Sequence, residues 1–355
     1  MLYHLTKAII FIVRLLPRRV ALALFSAAGF VAGKLHARER AIAAAQLKLA
    51  CKSNMLKTRE ASAPLIYRRG GLPATSYYNL PITPSDADIN KIVDANFRHA
   101  GKIFYESLIV EKLTQLKPHC QDAPLFSEQP YQHVHFLDGA EELDKLLSND
   151  TACFMLSAHL GCFELLAACA AKMKGKHHNQ KVYAIGRNPN FAVADRLLKD
   201  IRAKYGLETI WRDDKKAGMK LVKTIKQKNW LAFLIDQDTN LQNTFHPFFG
   251  LDAAYPSAPL SLAVKHSIPI ISIFIIREPD NKHIITARRI HYDPSSANVE
   301  QEILKAYSEH LESALLEYPE QWVWWHRRWR RRPEGGKPPR TNEYIAWLNE
   351  LVNRP

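Results

Sequence analysis

The sequence predicts an α/β fold in which a mixed, mostly parallel central sheet is flanked by helices. Two short apolar runs, Thr151–Leu156 and Trp230–Ile235, contain no charged residue, as in strands buried on both faces of a parallel sheet. From Pro124 onward, such runs alternate with helical segments, which is the pattern of an α/β domain. The longest β-branched run, Ile268–Ile276, is expected to pair with His283–Arg289.

Hydrophobic periodicity and turn residues predict the remaining elements. Further strands are predicted at His133–Leu137, Val182–Ile185 and Thr209–Trp211. Helices are predicted from Ser85 to about Leu116, at Gly139–Leu147, up to about Met173, and at Phe191–Tyr205, Lys215–Gln227, Pro256–His266 and Val299–Tyr318. The aromatic segment Asn243–Gly250 is predicted to be a loop with a glycine hinge.

Composition and charge indicate a globular chain with an acidic partner. The 355 residues are 47% hydrophobic, which suffices for a substantial core, and the net charge is +14. The first 70 residues carry 13 lysines and arginines against two glutamates, so most of the excess positive charge is N-terminal. Such charge favours nucleic acid, an anionic membrane or an acidic protein as the partner.

Five cysteines are present, without a C-x-x-C pair. This pattern argues against a disulfide scaffold or a zinc knuckle and is typical of a reducing compartment. Cys162 is expected to be a small buried residue rather than a nucleophile, because its neighbours are apolar.

The N-terminal segment, residues 1–53, is predicted to be helical and membrane-associated. Its two apolar blocks, Ala8–Leu16 and Val20–Leu35, are shorter than the roughly 20 residues of a transmembrane helix and are bracketed by basic residues. A hairpin or one short anchor at an anionic leaflet is favoured. A buried helix of a soluble domain remains the alternative. Residues 54–84 are predicted to be a loop or insert, 85–335 the α/β domain and 336–355 a tail with a short helix.

His159 and Glu164 are the candidate catalytic pair. His159 follows a predicted buried strand, where ligands gather in α/β sheets, and Glu164 lies in the first turn of the next helix. A carboxylate in this position can orient an imidazole that takes a proton from a hydroxyl. Both residues are also common at such positions for structural reasons, since a helix dipole favours an N-terminal glutamate.

Other strand ends carry polar residues as well. Arg187 follows Val182–Ile185 and is expected near the histidine if the two strands are neighbours, where its guanidinium would bind a phosphate or carboxylate. Asp236 and Asp238 follow Trp230–Ile235, and a structural or substrate-orienting role is favoured for them. Because companion ligands are missing, no metal site is predicted, and no cofactor motif is found.

Residues 320–333 interleave tryptophans with arginines, Arg327 and Arg328 among them. Such a segment can stack on bases and bind phosphates, or lie at a lipid headgroup interface or against an acidic carrier protein. The apolar N-terminus favours the membrane over nucleic acid. Arg327 and Arg328 are accordingly predicted to bind a substrate anion, and no nucleic-acid partner is predicted.

Together these motifs resemble the bacterial lipid A biosynthesis acyltransferases (the lauroyl and myristoyl transferase family) of the lysophospholipid acyltransferase superfamily. The resemblance runs from about Leu5 to Gly335. It is carried by His159-Leu-Gly-Cys-Phe-Glu164, Asp236-Gln-Asp238, Pro247-Phe-Phe-Gly250 and Trp324-Trp-His-Arg-Arg-Trp-Arg-Arg-Arg-Pro333. It implies a glycerolipid acyltransferase-like fold, attachment to the cytoplasmic face of the inner membrane, and transfer of a fatty acyl chain from acyl carrier protein to a hydroxyl of a lipid A precursor.

The resemblance also implies roles for individual residues. His159 would be the general base and Glu164 its partner, while Arg187 would bind an acceptor phosphate or transition-state charge. Asp236 and Asp238 would lie near the site, and Glu106 matches an acidic residue of the preceding helix, so all three are expected to contribute to substrate binding. Backbone amides at the helix start by Gly161 are expected to stabilise the oxyanion.

Three alternatives remain open at this point. The acceptor could be another amphiphile, such as an aminolipid or a glycerophospholipid. From different classes, a membrane-binding scaffold without catalysis and a nucleic-acid binder that uses the Trp/Arg segment would also explain parts of the pattern.

Overall fold

A computed structural model describes residues 2–60, 84–120, 126–149, 151–177, 180–188 and 191–354. The helices in these ranges are α1 (Leu2–Leu15), α2 (Arg18–Leu35), α3 (Ala37–Glu60), α4 (Asp86–Leu108), α5 (Val110–Leu113), α6 (Ala140–Ser148), α7 (Phe163–His177), α8 (Ala192–Ala203), α9 (Ala217–Lys226), α10 (Ser257–Lys265), α11 (Val299–Glu317) and α12 (Thr341–Asn353). The strands are β1 (Val134–Asp138), β2 (Cys153–Ser157), β3 (Val182–Gly186), β4 (Leu207–Trp211), β5 (Trp230–Leu234), β6 (Asn243–Phe248), β7 (Leu251–Pro256), β8 (Ile270–Arg277) and β9 (His283–Ile290).

The chain groups into two compact units, each assembled from three stretches. The first unit comprises Met1–Ala23, Ile103–Leu234 and Leu262–Pro294. The second unit comprises Leu24–Lys102, Ile235–Ser261 and Ser295–Pro355. The division of the chain predicted at residues 53, 84 and 335 stays a prediction.

The first unit contains a seven-stranded sheet in the order β1-β9-β8-β2-β5-β3-β4. Five of its six strand pairs are parallel, and the β8–β9 pair is antiparallel. The predicted mixed, mostly parallel sheet with flanking helices is therefore confirmed, as is the pairing of the two late strands. Every residue of β2 and of β8 is buried, which agrees with their predominantly apolar sequences.

Strand direction brings several loops of the first unit to one edge of the sheet. The strands β2, β5, β3 and β4 are mutually parallel, with Phe154 opposite Leu231 and Ala184 opposite Ala232. Their carboxyl ends therefore share an edge, where ligands bind in open α/β sheets. β5 lies between β2 and β3, so the strands that precede His159 and Arg187 are not direct neighbours.

In the second unit, the predicted aromatic loop is a two-stranded hairpin. β6 pairs antiparallel with β7. The turn residues Phe249 and Gly250 both have positive φ, 49° and 75°, as hairpins of this length favour. The amide of Phe249 donates a hydrogen bond of 2.6 Å to Oε1 of buried Glu312, which helps to hold this backbone conformation. The loop prediction was wrong because the adjacent Phe-Phe-Gly obscured the alternation of both strands.

Of two further helix boundaries, one agrees with the prediction and the other differs from it. Ser85 caps α4 as predicted, because its hydroxyl accepts a hydrogen bond from the Asp88 amide and its own amide donates to the Asp88 carboxylate. Residues 54–60, by contrast, continue α3, whereas a loop was predicted from Asn54. The rest of that predicted loop, residues 61–83, lies outside the described residues.

The N-terminal helices differ in their burial. α1 buries none of its residues, and six of its large apolar side chains are exposed: Leu2, Leu5, Ile9, Phe11, Ile12 and Leu15. α3, by contrast, buries Ile42 and Leu47. Within the described ranges, no single helix has the length and apolar composition to cross a membrane, while α2 and residues 37–53, bent by 94°, pass that test as a pair.

Candidate active site

A cavity of about 290 Å³ opens at the carboxyl ends of the parallel strands in the first unit. Most of its wall is apolar and comes from Met155, Phe163, Leu166, Ile185, Leu198, Trp211, Leu234 and Ile273. Its polar lining comes from Ser157, His159, Glu164, Arg187 and Arg202. An apolar pocket with a few convergent polar groups is the usual form of a small-molecule site.

The corner between β2 and α7 positions His159. Gly161 has a φ of +57°, a conformation that glycine adopts without strain, and a Cβ there would collide with the carbonyl oxygen of Ile275. The chain thus turns sharply and passes close to β8 before α7 starts at Phe163. The Phe163 ring lies edge-on to the His159 imidazole, with 5.2 Å between the ring centroids. The predicted sequence of strand, corner and helix is confirmed.

Cys162 lies at the same corner but is fully buried. Burial raises the pKa of its thiol to about 12, so it is a thiol rather than a thiolate at neutral pH. The prediction of a buried filler is confirmed. The other four cysteines are also buried, and none of the five forms a disulfide.

Glu164 is held by two residues that the sequence did not mark. Nε of Arg202 donates to Oε2 of Glu164 at 3.1 Å, while Nη2 of Arg202 donates to Oε1. The hydroxyl of Tyr205 also donates to Oε2, at 3.1 Å. The carboxylate therefore has a fixed orientation at the edge of the cavity.

Electrostatics favour this arrangement. Burial would lower the pKa of Arg202, but the adjacent Glu164 outweighs it and raises the pKa, so the guanidinium keeps its charge. Burial and then the same carboxylate raise the pKa of Tyr205, so its phenol remains a hydrogen-bond donor. Both donors therefore keep their protons at neutral pH.

Three predicted residues meet in this cavity, namely His159, Glu164 and Arg187. Arg187 reaches it from the end of β3 although β5 separates that strand from β2. Arg202 lies within a helix that was predicted, but its role depends on a contact with a residue 38 positions away. The only available sequence signal was a basic residue at the end of an amphipathic helix, which is common for reasons of helix dipole alone.

Glu106, also in the first unit, has a different environment. It is fully buried and bound by Nη1 of Arg277 at 2.6 Å, Nη2 of Arg18 at 2.9 Å and Nε2 of His283 at 3.2 Å. Burial alone would raise the pKa of Glu106, but Arg277 and His283 hold it well below its usual range. The structure places Glu106 in a buried ion cluster, and its predicted part in substrate binding stays a prediction.

The Asp236 and Asp238 carboxylates belong to the second unit, where both are buried. Nε1 of Trp322 donates to Asp236 at 2.7 Å, while the amide of Arg331 donates to Asp238 at 2.8 Å. Nη2 of Arg330 forms an ion pair with Asp238 at 3.2 Å. These contacts fit a structural role, one of the two that the sequence favoured, and the predicted part of Asp236 and Asp238 in substrate binding stays a prediction. Among the described residues, no three His, Cys, Asp or Glu side chains converge as a metal site would require.

Several side chains of the Trp/Arg segment, residues 320–333, are buried in the second unit, whereas the sequence suggested an interface with lipid or a carrier protein. The side chains of Trp322, Trp324 and Trp329 are buried. Arg328 is also buried, and its guanidinium lies 4.1 Å from the centre of the Tyr255 ring. Its charge is therefore stabilised by an aromatic face inside the unit rather than presented to solvent.

Arg327 is part of the same segment but is less buried. Its Nη1 donates a hydrogen bond of 2.8 Å to the carbonyl of Pro339. Burial, followed by repulsion from Arg330 and Arg38, lowers the pKa of Arg327, which indicates a concentration of positive charge around it. The predicted binding of a substrate anion by Arg327 and Arg328 stays a prediction.

The first unit therefore defines an α/β enzyme with a histidine, a carboxylate and two arginines around an apolar cavity. Residues 78–331 match the model of the family described as bacterial lipid A biosynthesis acyltransferase, and the chain belongs to that family. The resemblance seen in the sequence is thereby confirmed. The chain is an acyltransferase of lipid A biosynthesis, and the family implies a lipid acceptor. No curated protein matches the chain.

The Arg202 contact yields a testable expectation. Arg202→Met should lower kcat by up to about 10²-fold, because Glu164 loses the partner that fixes its orientation. Arg202→Lys should lose less, since it keeps the charge but not the paired contact. Kinetics of acyl transfer measure this effect. Arg196→Met, an exposed change in the same helix, is the control, and a wild-type kcat for Arg202→Met would contradict the expectation.

Proposed function

We propose that this protein transfers a fatty acyl chain from an acyl carrier protein thioester to a hydroxyl of a lipid A precursor. His159 removes the proton of the acceptor hydroxyl, and the oxygen attacks the thioester carbonyl carbon. The carbon–sulfur bond breaks as the tetrahedral intermediate collapses, and the imidazolium returns its proton to the departing thiolate. The reaction yields the acyl ester and the carrier thiol, with His159 neutral again.

Glu164 orients the imidazole and stabilises its cation. An ionised carboxylate offers about four acceptor sites. Arg202 and Tyr205 occupy three of them, which leaves roughly one for the imidazole. In this proposal the role of Arg202 and Tyr205 is to fix which oxygen of Glu164 faces the histidine.

The rest of the cavity suits both substrates. Its apolar walls accept the acyl chain, because the transfer of methylene groups from water into such a pocket is favourable by about 0.8 kcal/mol each. Arg187 lies at the same cavity and binds an acceptor phosphate or the charge of the transition state. Backbone amides at the Gly161 corner, where the helix dipole is positive, stabilise the oxyanion.

We further propose that the enzyme works at the cytoplasmic face of the inner membrane, where the N-terminal segment associates with anionic lipid. The exposed apolar side chains of α1, Phe11 and Leu15 among them, support this location, as do the basic residues around them. Each basic residue near an anionic leaflet contributes about 1 kcal/mol.

One observation carries the proposal most directly: His159 and Glu164 line a single apolar cavity in a chain of this family. A reconstituted assay tests it. Purified protein, acyl carrier protein loaded with a labelled fatty acid, and a lipid A precursor in mixed micelles should yield labelled ester on the precursor. Absence of transfer from this donor, with transfer from acyl-CoA, would contradict the proposed donor. Transfer to a glycerophospholipid but not to the precursor would contradict the acceptor.

A further inference from the structure

A helix face rich in lysine follows the strand whose last residue lines the cavity of the first unit. Between Arg212 and Lys228 the chain carries seven lysines and arginines against two aspartates. Lys216, at the N-cap of α9, falls on the same side as Lys220 and Lys223 within it, since helical neighbours recur every three or four positions. Together with Lys226, these residues are named the lysine face.

The lysine face is exposed and rich in uncompensated charge. All four of its lysines are exposed. Within the described part of the chain, Lys220 is the member that forms an ion pair, with Asp214, and the same carboxylate also interacts electrostatically with Lys216. Met219 lies among the lysines with 66% of its surface exposed, and it borders a shallow hollow with Gly218, Val222 and Gln227. Charged residues around an exposed methionine are typical of a protein-binding surface.

The lysine face is linked to the cavity through the preceding strand and through Arg212. α9 follows β4, whose last residue, Trp211, lines the cavity. Arg212 comes next in sequence, and burial followed by repulsion from Arg187 lowers the pKa of Arg212. Arg187 itself lines the cavity. Positive charge therefore extends along the chain from the lysine face through Arg212 to the cavity, where the thioester must bind.

The spacing of the charges favours an extended partner over a compact ligand. Lys216 and Lys226 are ten residues apart, which is about 15 Å along a helix. A phosphate group needs donors that converge on one point, whereas charges in a row match a second extended surface of opposite charge. Acyl carrier proteins are small, acidic and helical, so an acidic helix of such a protein fits this row.

We propose that the lysine face docks the acidic carrier protein and thereby delivers its acyl thioester to the cavity. This inference rests on the proposed function for the identity of the donor. The carrier places acidic side chains against the lysines, an apolar side chain in the hollow at Met219, and its acyl arm past Arg212 toward Arg187.

A triple charge reversal tests the docking surface. The variant K220E/K223E/K226E is compared with K265E/K305E/K337E, which reverses three exposed lysines elsewhere. Each full-length protein is assayed with acyl carrier protein loaded with fatty acid and, separately, with the matching acyl-pantetheine thioester, which carries no protein. Thermal unfolding checks that both variants are folded.

We expect the lysine-face variant to raise KM for the acyl carrier protein by about 10-fold or more, and to leave the kinetics with acyl-pantetheine unchanged. Added salt should raise the wild-type KM for the carrier and reduce the difference between the proteins. An unchanged KM in the lysine-face variant, an equal rise in the control variant, or an equal loss with both donors would overturn the docking surface. If the wild-type enzyme accepts acyl-pantetheine but not the carrier, the donor in the proposed function is wrong instead.

Discussion

His159→Ala is expected to reduce acyl transfer by about 10²–10⁴-fold, the usual contribution of a general base. The acceptor hydroxyl would have to attack without a group to take its proton, while Glu164 and the cavity walls would remain in place. Initial rates with labelled acyl carrier protein and saturating acceptor measure the effect. KM should change little, because the imidazole is expected to act mainly in the transition state.

The control for this variant is His266→Ala, which removes an exposed histidine. It should retain the wild-type rate. Because His159 lies at a partly exposed corner, its replacement should leave thermal unfolding close to wild type. Full activity in folded His159→Ala would contradict the assignment of the base.

The second large effect concerns stability. Glu106→Gln is expected to lower the free energy of unfolding by about 3–5 kcal/mol, because it leaves Arg277 buried without its negative partner. Denaturant unfolding, followed by circular dichroism, measures the change. Glu111→Gln is the matched control, since Glu111 pairs with Arg14 and Lys204 nearer the surface. Its loss should be roughly 0–1 kcal/mol, and equal losses in both variants would contradict the importance of burial.

The same cluster predicts a dependence on pH. The pKa of Glu106 is lower in the folded chain than in the unfolded one, so its contribution to stability is fully present above the unfolded pKa of about 4.3. That contribution is lost as the pH falls below this value toward the folded pKa. The stabilities of wild type and Glu106→Gln should therefore converge in acid. A difference that stays constant down to acidic pH would contradict this account.

The sequence was most informative where a local pattern determines structure. Runs that are almost entirely apolar predicted β2, β5 and β8, because strands covered on both faces are formed mainly of apolar residues. The histidine corner was also predictable, since it depends on a strand, a glycine and a helix start that are contiguous.

Features that depend on distant contacts were missed or misassigned. The partner of Glu164 is Arg202, and nothing in the local pattern of α8 distinguishes that arginine from a surface charge. The tryptophans of residues 320–333 have no helical or strand period, so their burial depends on the rest of the second unit. Arg328 in particular is buried against Tyr255, a contact between residues far apart in sequence.

The central claim, that this chain acylates a lipid A precursor through His159, is tested most directly by the lipids of a strain that lacks the gene. Mass spectrometry of its lipid A should show loss of one fatty acyl chain, restored by the wild-type gene but not by an equally expressed His159→Ala variant. Unchanged lipid A in the deletion strain, restoration by the variant, or loss of an acyl chain from a different lipid would contradict the account.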